Sequence, residues 1–218
     1  MQRTHDTPAD ARRYGIVFEQ LNTRHVSYAW PRDVDATLAN DIIALMRLTT
    51  QASPIIGFGT QIDDAQAAAY IEELRANLGA GKCRLLEIRS DGGALIGLCT
   101  IRRNLNPNNR HIADLAKGMI DERYRGGAVL SAAFLEMSER CMTDGVEVMT
   151  LDVRAGTRAQ RVWEHYGFET YGVLPDYARA NGESFAGHFM MQQVPALRER
   201  VERHLERAGV ALLHVAEA

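Results

Sequence analysis

The residues of this chain best placed to do chemistry stand in the stretch 114–130, "DLAKGMIDERYRGGAVL". Arg123, Arg125, Gly126 and Gly127 fall between Ile120 and Val129, where a strand-like apolar run gives way within a few residues to a helical one. A chain that turns so abruptly into a helix presents backbone N–H groups with no carbonyl partner, and here two arginines stand beside them. The glycines let the backbone approach a ligand with no Cβ in the way. The chemistry this predicts is anion binding by main-chain N–H groups of Arg125, Gly126, Gly127, Ala128 and Val129, with charge-assisted contacts from Arg125 and Arg123. A plain strand-to-helix turn with solvated arginines is the alternative reading of the same residues.

The elements that must hold this junction follow from hydrophobic periodicity. Residues 1–13 are polar and predict a flexible segment; residues 14–194 predict one α/β domain, and residues 195–218 a C-terminal helix and tail. A first strand is expected at 25–30, ended by Pro31. Leu38, Ile42, Leu45 and Met46 have helical spacing within 33–48, and a second helix runs from the acids at 63–64 to Gly79. The period then changes. Residues 83–90 and 94–104 around "DGG" read as a hairpin, and 111–120 as the next strand. A helix follows the junction to Gly145, then a strand at 146–153 and a helix at 157–167 with Thr157 as cap. Two closing strands, 168–174 and 183–194, flank a loop "PDYARANG", and "PALRERVERHLERAG" ends the pattern as a charged helix. The result is an α/β domain with a mixed sheet.

Composition narrows the partners. The chain has 218 residues, 46% of them hydrophobic, enough for one domain with a real core. A net charge of −3 argues against nucleic acid as a partner. No apolar run approaches the ~18 residues that span a bilayer, and the first ten residues lack a signal-peptide core, so cytoplasm without membrane attachment is the expectation. Cys83, Cys99 and Cys141 lie in separate apolar runs and read as buried free thiols. The histidines show no ligand spacing, so no metal is expected.

This order of elements around this junction resembles the GCN5-related N-acetyltransferase (GNAT) superfamily over residues 60–194. It is closest to tabtoxin-resistance-like and aminoglycoside (kasugamycin-type) N-acetyltransferases. The matching blocks are "KGMIDERYRGGAV", "LDVRAGTRAQRVWEHYGF" and "YGVLPDYARANGE". The resemblance implies the acyl-CoA N-acyltransferase fold: a mixed, mostly antiparallel sheet splayed between its fourth and fifth strands and flanked by helices. Those two strands are 111–120 and 146–153 here. It also implies acetyl-CoA as donor, its pyrophosphate held by the 125–130 turn. Two registers fit that turn. In one, Arg123, Gly126 and Ala128 carry the motif. In the other, preferred because it aligns 117–120 without a gap, Arg125 takes the arginine position and Leu130 must point away from the phosphates.

The implied reaction is transfer of acetyl to a primary amine of a small molecule, an aminoglycoside or tabtoxin-like antibiotic first. A protonated amine has no free lone pair, so a base is needed. Asp114 and Asp152 align with acidic positions of that group and are the candidates. Two carboxylates facing one cleft would hold a cationic amine, and their repulsion would raise the pKa of one of them. Met119 and Ile120 would offer N–H groups to the oxyanion. The superfamily's usual proton-donating tyrosine is Trp163 here, which predicts a wall along the pantetheine arm, and Tyr166 is the candidate acid in its place. Gln160 would bond the same arm. Trp30, Phe58, Asp176, Tyr177 and Glu183 are the expected acceptor-binding residues. The C-terminal helix is expected to dock on the domain, with a homodimer as the alternative. The enzymatic runner-up is a protein N-acetyltransferase, and the non-enzymatic one a degenerate acyl-CoA-binding protein.

Overall fold

The computed structural model describes residues 11–52, 61–126, 128–180 and 182–213. Among the described residues nine strands form one sheet: β1 Arg12–Tyr14, β2 Val26–Ala29, β3 Cys83–Ser90, β4 Leu95–Arg103, β5 Ile112–Ile120, β6 Val148–Arg154, β7 Glu169–Ala180, β8 Glu183–Gln193 and β9 Leu212–Leu213. Their spatial order is β7-β8-β6-β5-β4-β3-β2-β1-β9. Every neighbouring pair is antiparallel except β5 and β6. The α-helices of the described residues cover it: α1 Ala36–Ala52, α2 Asp64–Gly79, α3 Ala128–Thr143, α4 Arg158–His165 and α5 Val194–Arg207.

Alternation along the strands sends side chains to two cores. One lies under α1 and α2, where Ile42, Met46, Ile71 and Leu74 meet Leu85, Leu98 and Met119. The other lies under α3 and α5, where Val129, Phe134, Leu197 and Val201 meet Leu86, Leu115, Leu151 and Met190. The α2 start is fixed by a capping box: Asp63 accepts from the Gln66 N–H, and the Gln66 side chain accepts from the Asp63 N–H. Asp35 accepts from the Leu38 N–H at the start of α1. The three cysteines are buried and unbridged. Burial pushes the Cys99 thiol up to about 12, with Asp114 adding to the effect.

Three segments differ from the sequence reading. The segment expected to be loose through residue 13 ends in β1, which pairs with β2 and β9. Tyr14 is buried there, and Arg12 pairs with Glu136 and Glu139 on α3. The expected loop at 175–182 is largely strand. Pro175 is tolerated because β7 is an edge strand and its pairing with β8 shifts register between Leu174 and Ala178. The chain also continues past α5 into β9 on the far edge. Among the described residues no helix is long and apolar enough to cross a membrane.

Candidate active site

The parallel pairing of β5 with β6 lasts three residues, Ile112 with Val148, Ala113 with Met149 and Asp114 with Thr150. Beyond Asp114 the two strands part. β6 stays with β8 to Arg154, and β5 stays with β4 to Ile120, so a gap opens within the sheet. A bulge deforms β5 on the rim of this gap. Its pairing with β4 shifts between Leu98 and Thr100, leaving Lys117 and Gly118 opposite Cys99, and Lys117 takes a left-handed φ of 53°. The bulge reverses the faces: Leu115 lies in the α3 core and Met119 in the α1–α2 core.

Asp114 and Asp152 point to the same side of the sheet, the side that carries α1 and α2, because their neighbours Leu115, Leu151 and Val153 fill the opposite core. The Thr150 hydroxyl donates to Asp114 at 3.3 Å, and Arg102, directly across the β4–β5 ladder, stands 3.8 Å away through Nε. Burial raises the Asp114 pKa, Arg102 opposes that, and the nearby charge of Asp152 raises it further. The Tyr177 hydroxyl donates to Asp152. Its ring meets Phe189, the β8 partner of Asp152, edge-on at 6.2 Å. Burial and the bond to Asp152 push the Tyr177 pKa well up, so it stays a donor.

At the end of β5 the chain makes one 3₁₀ turn and enters α3. Asp121 is buried and accepts from the Arg123 N–H and guanidinium. Burial works against its charge, but those bonds outweigh it and hold Asp121 below the ordinary carboxylate range. Arg123 is thus tied to Asp121, while Arg125 donates through Nε to the Ile120 carbonyl at 3.1 Å. Gly126 has a φ of 106°, and a Cβ there would meet nothing within 4 Å, so the backbone faces open space. Ala128 and Val129 are buried in the first turn of α3, and the Val129 carbonyl accepts from the Tyr28 hydroxyl at 2.8 Å. Leu130 is partly buried and packs against the α3-side core. Gly127 and Phe58 lie outside the described residues.

The remaining candidates are spread out. Tyr166 caps the C-terminus of α4, buried against Phe134, with its hydroxyl 2.8 Å from that of Ser131 in the first turns of α3. Burial raises its pKa. Trp163 packs edge-on against Phe134 and Phe168. The Gln160 amide is used locally, accepting from the Gly156 N–H and donating to Glu164. Ile120 packs against the α3-side core. Trp30 lies on the α3 side beneath Arg140 and is not brought to the aspartates. Asp176 holds Arg179 and Ser184 at the outer end of the β7–β8 hairpin, where Glu183 is exposed. Arg102, Lys117, Thr150 and Phe189 belong to the site although sequence reasoning missed them. Their signal was a strand register, which periodicity alone does not supply.

No family model matches the chain. Solved structures do match in fold. An acetyltransferase of the GNAT family from Streptococcus pneumoniae aligns at 16% identity over 76% of this chain and 99% of its own, with a TM-score of 0.61. Mycobacterium smegmatis RimJ in complex with CoA-disulfide aligns at 18% identity, 85% and 90% coverage and a TM-score of 0.63. A ribosomal-protein-alanine N-acetyltransferase from Brucella melitensis aligns at 17% identity, 76% and 98% coverage and a TM-score of 0.62. With its sheet parted between β5 and β6 and a glycine-led helix at the mouth of the gap, the chain has the fold of the GNAT acetyltransferases.

Proposed function

We propose that this protein is an acetyl-CoA-dependent N-acetyltransferase acting on a primary amine of a small molecule. The observation that carries the reading is the parting of β5 from β6 just past Asp114, with a carboxylate from each strand on the same face of the sheet and the start of α3 at the mouth of the gap. The open backbone at Gly126 and the first-turn N–H groups of α3, which a helix start leaves without carbonyl partners of its own, fit a pyrophosphate. Bound there, the donor supplies an acetyl thioester, whose acetyl group passes from sulfur to the amine nitrogen.

The chain's residues do the rest. Residues 125, 126 and 128–130 would hold the diphosphate through main-chain N–H groups, with Arg125 beside them. Asp114 or Asp152 takes the proton that an ammonium must lose before it can attack. Tyr177 keeps Asp152 in place and stays protonated. Of the Met119 and Ile120 N–H groups just past the bulge, that of Ile120 points away from β4 and is the donor for the oxygen that gains charge. Tyr166, held by Ser131, is the group that returns a proton to the leaving sulfur; a thiol of ordinary pKa ~8.5 also leaves as the thiolate.

The three sequence blocks favour an amine-bearing antibiotic, aminoglycoside or tabtoxin-like, as the acceptor. A ribosomal-protein N-acetyltransferase among the fold neighbours favours a protein N-terminus as the second reading. Thiol release from acetyl-CoA across a panel of antibiotics, small amines and N-terminal peptides tests both. Turnover of a small amine is the expected result. Calorimetry showing no affinity for coenzyme A would overturn the whole reading, and tight binding with no turnover would leave an acyl-CoA-binding protein.

A further inference from the structure

Of the chain's 25 lysines and arginines, only Lys82 and Lys117 are lysines. The difference is chemical: an arginine keeps its proton at any working pH, whereas a lysine that loses one becomes a nucleophile. The two lysines stand in different places. Lys82 is exposed, and its carbonyl accepts from the Arg103 N–H, which sets it level with Ala113 at the end of β5 still paired with β6. Lys117 is half-buried in the bulge, past the point where the two strands part. Its left-handed φ of 53° breaks the strand there, and its ammonium interacts electrostatically with Arg102, with Glu73 of α2 and with Asp152. The side chain therefore lies over the face that carries the two aspartates. Burial lowers the Lys117 pKa and Arg102 lowers it further, against the pull of Glu73 and Asp152, so its neutral amine is more readily reached than that of a solvated lysine. Three residues on is Ile120, whose N–H points away from β4 and is the donor for the thioester oxygen. Three residues of strand span about 10 Å, less across a bulge. A four-carbon stem and an acetyl thioester cover that span between them.

We propose that Lys117 is itself an acetyl acceptor: when no amine fills the site, the protein transfers the acetyl group of its own bound acetyl-CoA to the Lys117 Nζ. This rests on the N-acetyltransferase reading and extends it to a modification of the protein. The ammonium first gives a proton to Asp152. The neutral nitrogen then attacks the thioester carbon. An N–C bond forms, the C–S bond breaks, and the sulfur keeps the electron pair and takes the second amine proton, leaving as the thiol of coenzyme A. The product is an uncharged N-acetyl-lysine, an amide too stable to pass its acetyl group on. One acetyl per chain ends the reaction, with the amide standing where the amine of an acceptor has to enter.

The test is intact-protein and peptide mass spectrometry of the purified protein held with acetyl-CoA and no amine. The expected result is one acetyl per chain, on Lys117, with a first-order rate constant independent of protein concentration. It should form at least about a hundredfold faster than on Lys82, the advantage of a held over a chance encounter. Excess coenzyme A should slow the labelling of Lys117 and leave that of Lys82 unchanged. Lys117→Arg should abolish the modification while coenzyme A affinity stays unchanged as the check on folding, and Lys82→Arg should preserve it. Equal labelling of the two lysines, a rate constant that rises with protein concentration, or labelling of Lys117 that excess coenzyme A does not slow would overturn the proposal. Turnover of a small amine by a protein whose Lys117 stays unmodified once that amine is withdrawn would also overturn it, and leaves the transferase reading standing. Acetylation of Lys117 with every tested amine inert supports it. No affinity for coenzyme A, together with an unmodified Lys117, overturns both.

Discussion

Burial favours the protonated form of Asp114, Arg102 opposes it, and Asp152 and Thr150 add weaker pushes in opposite directions. If Asp114 is the base, activity depends on its ionised form and is lost as pH falls through its raised pKa. The acid limb of kcat/KM should then lie above the ordinary aspartate value of ~3.9. Arg102→Gln removes the stabilising cation and should move that limb up in pH. Asp152→Asn removes the repelling charge and should move it down. Asp114→Asn should cost about 10²- to 10⁴-fold in kcat/KM, the range of general base catalysis. A limb unmoved by all three variants would remove Asp114 from that role. Asp152 and Tyr177 were legible as candidates because they sit in recognisable blocks, and Asp114 because it stands just before one. Arg102 and Lys117 were not, because their place depends on a ladder register and a two-residue bulge. A one-residue slip in either would turn them to the other face.

Among the elements, the hairpin of β7 and β8 controls the site from outside the gap. The Tyr177 ring lies over Gly187, and a Cβ there would clash with the ring carbons, which belong to a rigid group and cannot yield as a flexible side-chain end would. Gly187→Ala should therefore displace Tyr177 from Asp152 without touching either residue. The expected loss of activity matches that of Tyr177→Phe, and adding Gly187→Ala to Tyr177→Phe should cost little more. A fully active Gly187→Ala enzyme would show that the Tyr177–Asp152 bond is dispensable. Sequence patterning found α1, α2 and the β3–β4 hairpin because each carries a full period of buried residues, such as Leu38, Ile42, Leu45 and Met46. It missed β1 and β9, three and two residues long, since no periodicity can show in so few positions. It also stopped β7 at Pro175, where an edge position and a bulge let the strand run on.

Over the whole molecule, α5 closes the core beneath α3. Leu197 and Val201 are fully buried, so Leu197→Ala should lower stability by about 2–5 kcal/mol, read as a lower urea midpoint at constant slope. The sheet itself is less continuous than its nine strands suggest. Where β5 leaves β6, main-chain groups along residues 115–120 border an interior edge, a seam in the middle of the molecule where most proteins have only outer ones. An outer edge invites a stray strand. This inner one suits an extended, amide-bearing chain such as the arm of coenzyme A, which would stitch the two half-sheets into a single ladder. Occupancy of the seam should then slow amide hydrogen exchange on both of its lips and raise the melting temperature of domain regions far from the ligand.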